Sequence, residues 1–227
     1  MKTLGMRMFA SLGLYYLVTF PAVCQQGFIN LDFELANLPS IPAGQSGGLV
    51  PITSALPGWN GYIGDLQITQ VLHNDVTIGD ASVDIFGPFL DPSGILEGSY
   101  SVLLQSGGAL PSPFSAAIGQ IGSVRADAQL LQFKAGLGSI FTLSFAGQSL
   151  TPIALSSGPN YTLYGADIAS FAGQTGELRF TAPYDPSRPN GLLLDSISFS
   201  AVPEPSVLAL SALGVLLLGR RFLRWHR

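Results

Sequence analysis

Short runs in which apolar and polar residues alternate one by one are the feature of this sequence that most constrains its fold. In the run Phe141–Phe145, three apolar side chains fall on one side and two hydroxyl side chains on the other. The runs Glu177–Thr181 and Ser196–Ser200 repeat this pattern. A period of two is typical of a β-strand with one buried face, so these runs predict strands.

Other candidate strands alternate less regularly. They are Phe28–Phe33, Tyr62–Val71 (bent or split), Ser82–Phe86, Ser99–Gln105, Ala128–Phe133 and Asn160–Gly165. The side chains expected in the core are Phe33, Phe141, Phe145, Phe180, Ile197 and Phe199. Glycine and proline separate these runs, and the spacing indicates an all-β sandwich or barrel. One helical turn is expected at Asp167–Ala172, with Asp167 as its N-cap.

The first 24 residues resemble a secretory signal, which implies passage through the Sec translocon. Lys2 and Arg7 precede the apolar stretch Met8–Phe20, and small residues before Gln25 suggest cleavage after Cys24. The alternative is a lipoprotein acylated at Cys24. Residues 25–201 are then one exported domain, which without Cys24 can form no disulfide.

The charge of this domain excludes one class of partner. Residues 25–201 carry four Lys and Arg against thirteen Asp and Glu, a net charge of −9. An acidic surface repels phosphate backbones, so binding to nucleic acid is not expected.

Two short patterns could indicate a hydrolase. The motif Gly44–Gly48 reads G-x-S-x-G, and His73, expected in a loop at a strand end, is the domain's only histidine. A nucleophile elbow needs a strand before the serine and a helix after it, and the flanking Pro42 and Leu49–Pro51 favour a flexible loop instead. A glycosidase would need two carboxylates across a cleft, which the sequence neither indicates nor excludes.

The remaining polar and aromatic candidates allow two interpretations each. The dispersed acids Asp75, Asp80, Asp84 and Asp91 could bind Ca²⁺, but solvated surface is the favoured interpretation. Trp59 and Tyr62 lie between glycines and could stack against a sugar, whereas packing at the end of a sandwich is favoured for Trp59.

The last residues form a short apolar run followed by arginines. Ser206–Gly219 is uncharged and, as a helix, would cover about 20 Å of a hydrocarbon layer about 30 Å thick. The four arginines after it favour the cytoplasmic side, which places the body outside. Pro203 and Pro205 prevent the helix from continuing towards the body.

This tail closely resembles the PEP-CTERM sorting signal. The residues that carry the resemblance are Val202, Pro203, Glu204, Pro205, Arg220 and Arg221. The resemblance implies recognition and cleavage by an exosortase, in a Gram-negative bacterium that makes exopolysaccharide. Residues 202–227 would then be a transient membrane address, and the alternative is a permanent anchor.

The body resembles galactose-binding-like jelly rolls, a sandwich shared by many carbohydrate-binding modules. Asn30, Phe33, Glu34 and Asp195 occupy the places where that family brings an early strand beside a late one. The resemblance implies a jelly-roll sandwich and a structural Ca²⁺ shared by Glu34 and Asp195.

These observations favour an exported, non-enzymatic protein of the cell surface or extracellular matrix, with a structural or adhesive role. Before processing it would be held at the inner membrane. A carbohydrate-binding protein using Trp59 and Tyr62 is the first alternative, with polysaccharide as its partner, and a secreted hydrolase is the second.

Overall fold

A computed structural model describes most of the expected exported domain. The residues it describes are 27–42, 47–75, 77–88, 94–108, 114–136, 138–186 and 190–201. The expected signal peptide, the sorting tail, Ser46 and Asp91 lie outside these residues. In the part described, no helix is both long enough and apolar enough to cross a membrane.

The strands form two sheets packed face to face, so the predicted all-β jelly-roll-type sandwich is confirmed. The first sheet has, in spatial order, β1 (Leu49–Pro51), β4 (Gln70–His73), β5 (Ser82–Phe86), β6 (Ser101–Ser106), β14 (Asn190–Ser200), β8 (Leu130–Gly136), β12 (Tyr161–Asp167) and β11 (Ile153–Ser157). The second has β10 (Gln148–Leu150), β9 (Thr142–Phe145), β13 (Thr175–Ala182), β7 (Ala116–Ser123), β2 (Asn60–Ile63) and β3 (Leu66–Ile68).

Neighbouring strands are antiparallel except for β4 and β5, which are parallel. Helical structure includes α1 (Ile52–Ala55) and a 3-10 turn, Ala169–Phe171. The expected turn is therefore 3-10. Its N-cap is Ile168 rather than Asp167, although the Asp167 carboxylate accepts the N–H of Ala169 at 2.9 Å.

The core lies between the two sheets, and it is built from the apolar residues that alternate with polar ones along the strands. Leu178 and Phe180 of β13 and Phe145 of β9 are fully buried, as are Phe133 and Leu194 of the other sheet. Burying a side chain of this size stabilises the fold by roughly 1.5–3 kcal/mol. Of the expected core residues, Phe33, Phe145, Phe180 and Ile197 are buried, and Phe141 and Phe199 are half-buried.

The prediction of a strand at Phe28–Phe33 is wrong, because this segment forms a loop that contains a turn. Asn30 and Phe33 have positive φ angles of 51° and 60°, and the Asn30 side chain accepts the N–H of Leu35 at 2.9 Å. An asparagine that binds nearby backbone favours such a turn over a strand.

The expected closeness of this segment to the last strand is nevertheless present. Phe28 stacks on Phe199 with ring centroids 5.1 Å apart, and the N–H of Ile197 donates to the Leu31 carbonyl at 2.9 Å. The pairing of β14 with β8 shifts register between Asp195 and Ser198.

The other strand predictions are close to what the structure has. The run Tyr62–Val71 is split between β2, β3 and β4, as expected, and β5 covers the predicted residues Ser82–Phe86. The predicted strands near Ser99, Ala128 and Asn160 begin one or two residues later, as β6, β8 and β12.

Candidate functional site

Three side chains from two strands meet on the outer face of the six-stranded sheet. The Tyr62 hydroxyl on β2 donates to Glu177 Oε1 on β13 at 3.2 Å. The Arg179 guanidinium lies over the Tyr62 ring, 4.0 Å from its centroid, and Arg179 Nη1 is 4.0 Å from Glu177 Oε2. We call Tyr62, Glu177 and Arg179 the Tyr62 cluster.

The cluster exists because the strand between β2 and β13 carries small residues. Tyr62 is paired with Ala117 of β7, and Arg179 is paired with Gly119. Ala117 is only 1% exposed although it lies on the outer face, and a Cβ at Gly119 would collide with the Glu177 carboxylate. Larger residues on β7 would keep the cluster apart.

The cluster leaves hydrogen-bonding capacity for a ligand. Burial, and then the negative charge of Glu177, raise the pKa of Tyr62, so its hydroxyl stays protonated and donates. Within the described part of the chain, the Arg179 guanidinium makes no hydrogen bond, and its side chain is 27% exposed. Stacking on an aromatic ring holds the flat guanidinium in a fixed orientation.

The same face of the sheet is mostly polar beyond the cluster, apart from Ile121, which is paired with Glu177 and is 69% exposed. Gln67 donates to Asn60 at 2.9 Å on the β2–β3 side. On the other side the register places hydroxyl residues on this face, namely Thr142, Ser144, Ser149 and Thr181. The result is a strip of hydroxyl, amide and charged groups across the strands.

Trp59 is not part of this surface. It is only 3% exposed, and its ring centroid is 5.8 Å from that of Phe33 and 6.5 Å from that of Phe180. Its indole N–H donates to the Asn30 carbonyl at 2.9 Å. Trp59 therefore packs the core and cannot stack against a sugar, so only Tyr62 of the two expected ligand residues lies at an accessible site.

Glu34 and Asp195 both bind the segment 97–101. Glu34 Oε1 accepts the N–H groups of Ser99 at 2.7 Å and Tyr100 at 3.1 Å. Asp195 Oδ2 accepts the N–H of Glu97 at 3.0 Å and the Ser101 hydroxyl at 2.7 Å. Asp195 is buried, and desolvation raises its pKa to about 6 despite these donors.

This arrangement does not supply a coordination sphere for the expected Ca²⁺. Three of the four carboxylate oxygens, Glu34 Oε1 and both oxygens of Asp195, already accept N–H or O–H donors, and Ca²⁺ takes six to eight oxygen ligands. The described residues contain no group of three His, Cys, Asp or Glu that could hold a metal. The shared Ca²⁺ therefore stays a prediction.

His73 lies on β4 rather than in a loop, which corrects the expectation. It is 6% exposed, and burial lowers its pKa. The serine of the G-x-S-x-G motif lies outside the described residues, so the structure does not place it beside His73.

Asp84 is buried rather than on the solvated surface, a second correction. Its Oδ2 accepts the Ser82 hydroxyl at 2.6 Å. Its Oδ1 has no hydrogen-bond partner among the described residues. The pKa of Asp84 is raised to about 7, mainly by burial and to a smaller extent by the charge of Asp75, while the Ser82 hydrogen bond lowers it.

A cavity of about 630 Å³ at one end of the sandwich was missed by sequence reasoning. Its walls include Thr77, Gln105, Tyr184 and Asn190. Gln105 Nε2 donates to the Thr77 carbonyl at 2.8 Å, and Asn190 Nδ2 donates to the Pro183 carbonyl at 2.7 Å. The signal available was the proline- and glycine-rich turn Ala182–Gly191, which predicts a long loop but no cavity.

Comparisons with known proteins find structural likenesses only. No protein-family model and no curated protein matches the sequence. A family 11 carbohydrate-binding module from Clostridium thermocellum, in complex with a β-1,3-1,4-mixed-linked tetrasaccharide, is 10% identical, with a TM-score of 0.38, over 71% of this chain and 99% of its own.

A mannan-recognising carbohydrate-binding module, TmCBM27, is 8% identical, with a TM-score of 0.32, over 67% of this chain and 94% of its own. The enzymatically active domain of tailspike protein 4 from bacteriophage CBA120 is 14% identical, with a TM-score of 0.37, over 64% of this chain. This chain spans 20% of the length of that tailspike chain.

Proposed function

We propose that this chain is an exported surface or matrix protein that binds a neutral polysaccharide through the outer face of its six-stranded sheet. The observation that carries the proposal is the Tyr62 cluster, in which Arg179 is stacked on Tyr62 and lies 4.0 Å from Glu177 Oε2 but makes no hydrogen bond within the described part of the chain. The role is adhesive or structural, without catalysis.

The chemistry of the strip supports a sugar chain. Sugar hydroxyls both donate and accept, and the strip offers donors on Arg179 and an acceptor on Glu177. The strip runs across the strands, so it can contact several successive sugars. A body charge of −9 repels anionic polymers, which favours a neutral one.

Affinity electrophoresis of residues 25–201 in gels that contain neutral polysaccharides tests this function. The panel includes mixed-linkage β-glucan and mannan. We expect retardation by at least one polymer, reduced about tenfold in apparent affinity by Arg179→Ala or Tyr62→Ala, since one charge-assisted hydrogen bond contributes roughly 1.5–3 kcal/mol. The matched control is Arg125→Ala, an exposed arginine paired with Asp127 at 2.8 Å.

Absence of retardation in every gel of the panel counts against a polysaccharide function. Equal retardation of wild type and Arg179→Ala would mean that the polysaccharide binds to another surface. Both results require the variants to melt like the wild type.

The proposed export and sorting rest on the sequence of the two ends. Lys2, Arg7 and Met8–Phe20 support secretion, and residues 202–227 support a PEP-CTERM-like sorting step by an exosortase-type enzyme. The precursor is then held at the inner membrane and the processed body reaches the surface or the exterior.

Cell fractionation of the native host tests the sorting step. Antibodies to the body and to an epitope placed after Arg227 report the two halves separately. We expect Pro203→Ala, Glu204→Ala and Pro205→Ala together to trap full-length protein in the membrane, whereas wild type loses the epitope. Wild type that keeps both epitopes in the membrane indicates a permanent anchor.

A further inference from the structure

One side of the sandwich is formed by two edge strands that follow each other in the chain. β10 ends the six-stranded sheet and β11 ends the eight-stranded sheet. Only residues 151–152 separate them. This side wall, residues 148–157, therefore presents the free edges of both sheets together.

The β11 edge is open along its whole length. All five of its residues are exposed, with Ile153 at 60% and Leu155 at 42%. An edge strand carries backbone N–H and C=O groups that no neighbouring strand satisfies, and these can pair with a strand of another chain.

The side wall lacks the charges that normally guard such an edge. No Asp, Glu, Lys, Arg or His occurs from Ala135 to Ala166, although the body as a whole carries a charge of −9. At the opposite edges, β1 contains Pro51, and Asp65 directly precedes β3. Proline and charge are devices that oppose strand addition, and they stand at those edges.

The strand β11 itself contains a bulge, which also opposes strand addition. The register with β12 shifts between Ala154 and Ser156, so Leu155 is the extra residue. Its side chain leans over Gly165, where an added Cβ would lie 2.8 Å from Leu155 Cδ1. The residues on both sides of the bulge still pair regularly with β12. Pro152 and Pro159 lie outside the strand.

We propose that β11 pairs with β11 of a second copy of this chain, antiparallel and about a two-fold axis, so that the two eight-stranded sheets become one. The edge itself selects this occupant, because the free β11 edge of a second copy offers the same row of unpaired backbone groups. Repulsion between two bodies of charge −9 opposes association, and it is weakest where the uncharged walls face each other. A two-fold interface needs only that one patch complements itself.

Pairing centred on Leu155 places that side chain beside its own copy and Ile153 beside Ser157. The exposed apolar side chains then gather at the axis. Pairing does not use the Tyr62 cluster, which lies on the outer face of the other sheet, so it is independent of sugar binding.

Sedimentation velocity of residues 25–201 across a concentration series is the first test. Among the described residues, the core side chains lie between residues 28 and 199, all within this range. We expect a dimer whose fraction rises with concentration. Leu155→Lys places two like charges at the axis and weakens association about tenfold or more. The matched control is Leu66→Lys, which charges an exposed leucine (71% exposed) on β3.

Disulfide trapping in the full chain is the second test. Cys24 is the only cysteine, and Cys24→Ala keeps a small residue before the expected cleavage point. In that background, mild oxidation should cross-link Leu155→Cys, and Leu66→Cys should stay monomeric. Monomer at all concentrations, or equal cross-linking of both positions, overturns the proposal. A dimer that Leu155→Lys leaves intact also overturns it, because pairing then uses another surface.

Discussion

Glu34 and Asp195 bind the same segment, 97–101, and together accept four hydrogen bonds from it, at 2.7–3.1 Å. The two residues are far apart in the sequence, one in the N-terminal loop and the other in β14. The segment between them also carries Glu97, which pairs with Lys134 at 2.8 Å. The two carboxylates thus hold one loop against the outer face of the eight-stranded sheet.

The first prediction is that the contributions of these two carboxylates to the free energy of unfolding are not additive. Asp195→Ala leaves the donors of Glu97 and Ser101 without their acceptor and should lower the free energy of unfolding by about 3 kcal/mol. Glu34→Ala should cost less, because its site is exposed. The double variant should differ from the sum by about 0.5–3 kcal/mol, since both changes release one segment. Urea unfolding measures this, and strict additivity contradicts it.

The second prediction concerns calcium. We expect the melting temperature of residues 25–201 to be the same in EDTA and in excess Ca²⁺. The reason is that hydrogen-bond donors already occupy Glu34 Oε1 and both carboxylate oxygens of Asp195. A melting temperature that rises with Ca²⁺ in wild type and not in Asp195→Asn would establish the shared ion.

The third prediction is a pH dependence set by Asp84. Its pKa rises from 3.8 to about 7 on folding, so the folded state holds its proton more tightly than the unfolded chain does. Stability is then fully present below about pH 4 and falls as the pH rises towards 7, by about 4 kcal/mol in total. Asp84→Asn cannot ionise.

Urea unfolding of both proteins from pH 4 to pH 8 checks this. The stability of Asp84→Asn relative to wild type should increase by about 4 kcal/mol over that range. Asp195 titrates in both proteins, so its contribution cancels in the difference. If the difference in free energy of unfolding between the two proteins does not change with pH, folding does not raise the pKa of Asp84 and the prediction is wrong.

The fourth prediction concerns the core. Phe145→Ala should lower the free energy of unfolding by about 3–5 kcal/mol, because the ring is fully buried and the change leaves a cavity. Phe141→Ala is the matched control in the same alternating run, and loss of its half-buried ring should cost less. Thermal and urea unfolding compare the two, and equal losses contradict the burial described.

The sequence predicts the sandwich wherever a strand has one buried face, because such a strand alternates apolar and polar residues. Leu178 and Phe180 illustrate this, since both are fully buried while Arg179 between them faces outwards. Phe28–Phe33 shows the limit of the pattern. Its apolar spacing resembles a strand, but Asn30 and Phe33 adopt positive φ angles to complete a turn. That turn depends on contacts with the backbone, which the spacing of apolar residues does not reveal.

The candidate site was predicted only in part. Tyr62 could be singled out as an aromatic residue between glycines, whereas Glu177 and Arg179 looked like ordinary outward-facing strand residues. They become a site because Ala117 and Gly119 lie between the two strands, and that neighbourhood is fixed by sheet order rather than by local sequence. Trp59 had the same local signal as Tyr62, and its burial follows from packing against Phe180.

The position of β14 determines how the body bears mechanical load. Residue 201 follows β14 directly, and β14 is an interior strand paired with β8 over residues 194–200 and with β6 over residues 190–194. A pull on a tether after residue 201 must therefore break the first ladder and then the second, instead of peeling away an edge strand. Stacking of Phe28 on Phe199 adds the N-terminal loop to the same anchorage. A load applied at residue 201 therefore acts on a strand that is held by a neighbour on each side.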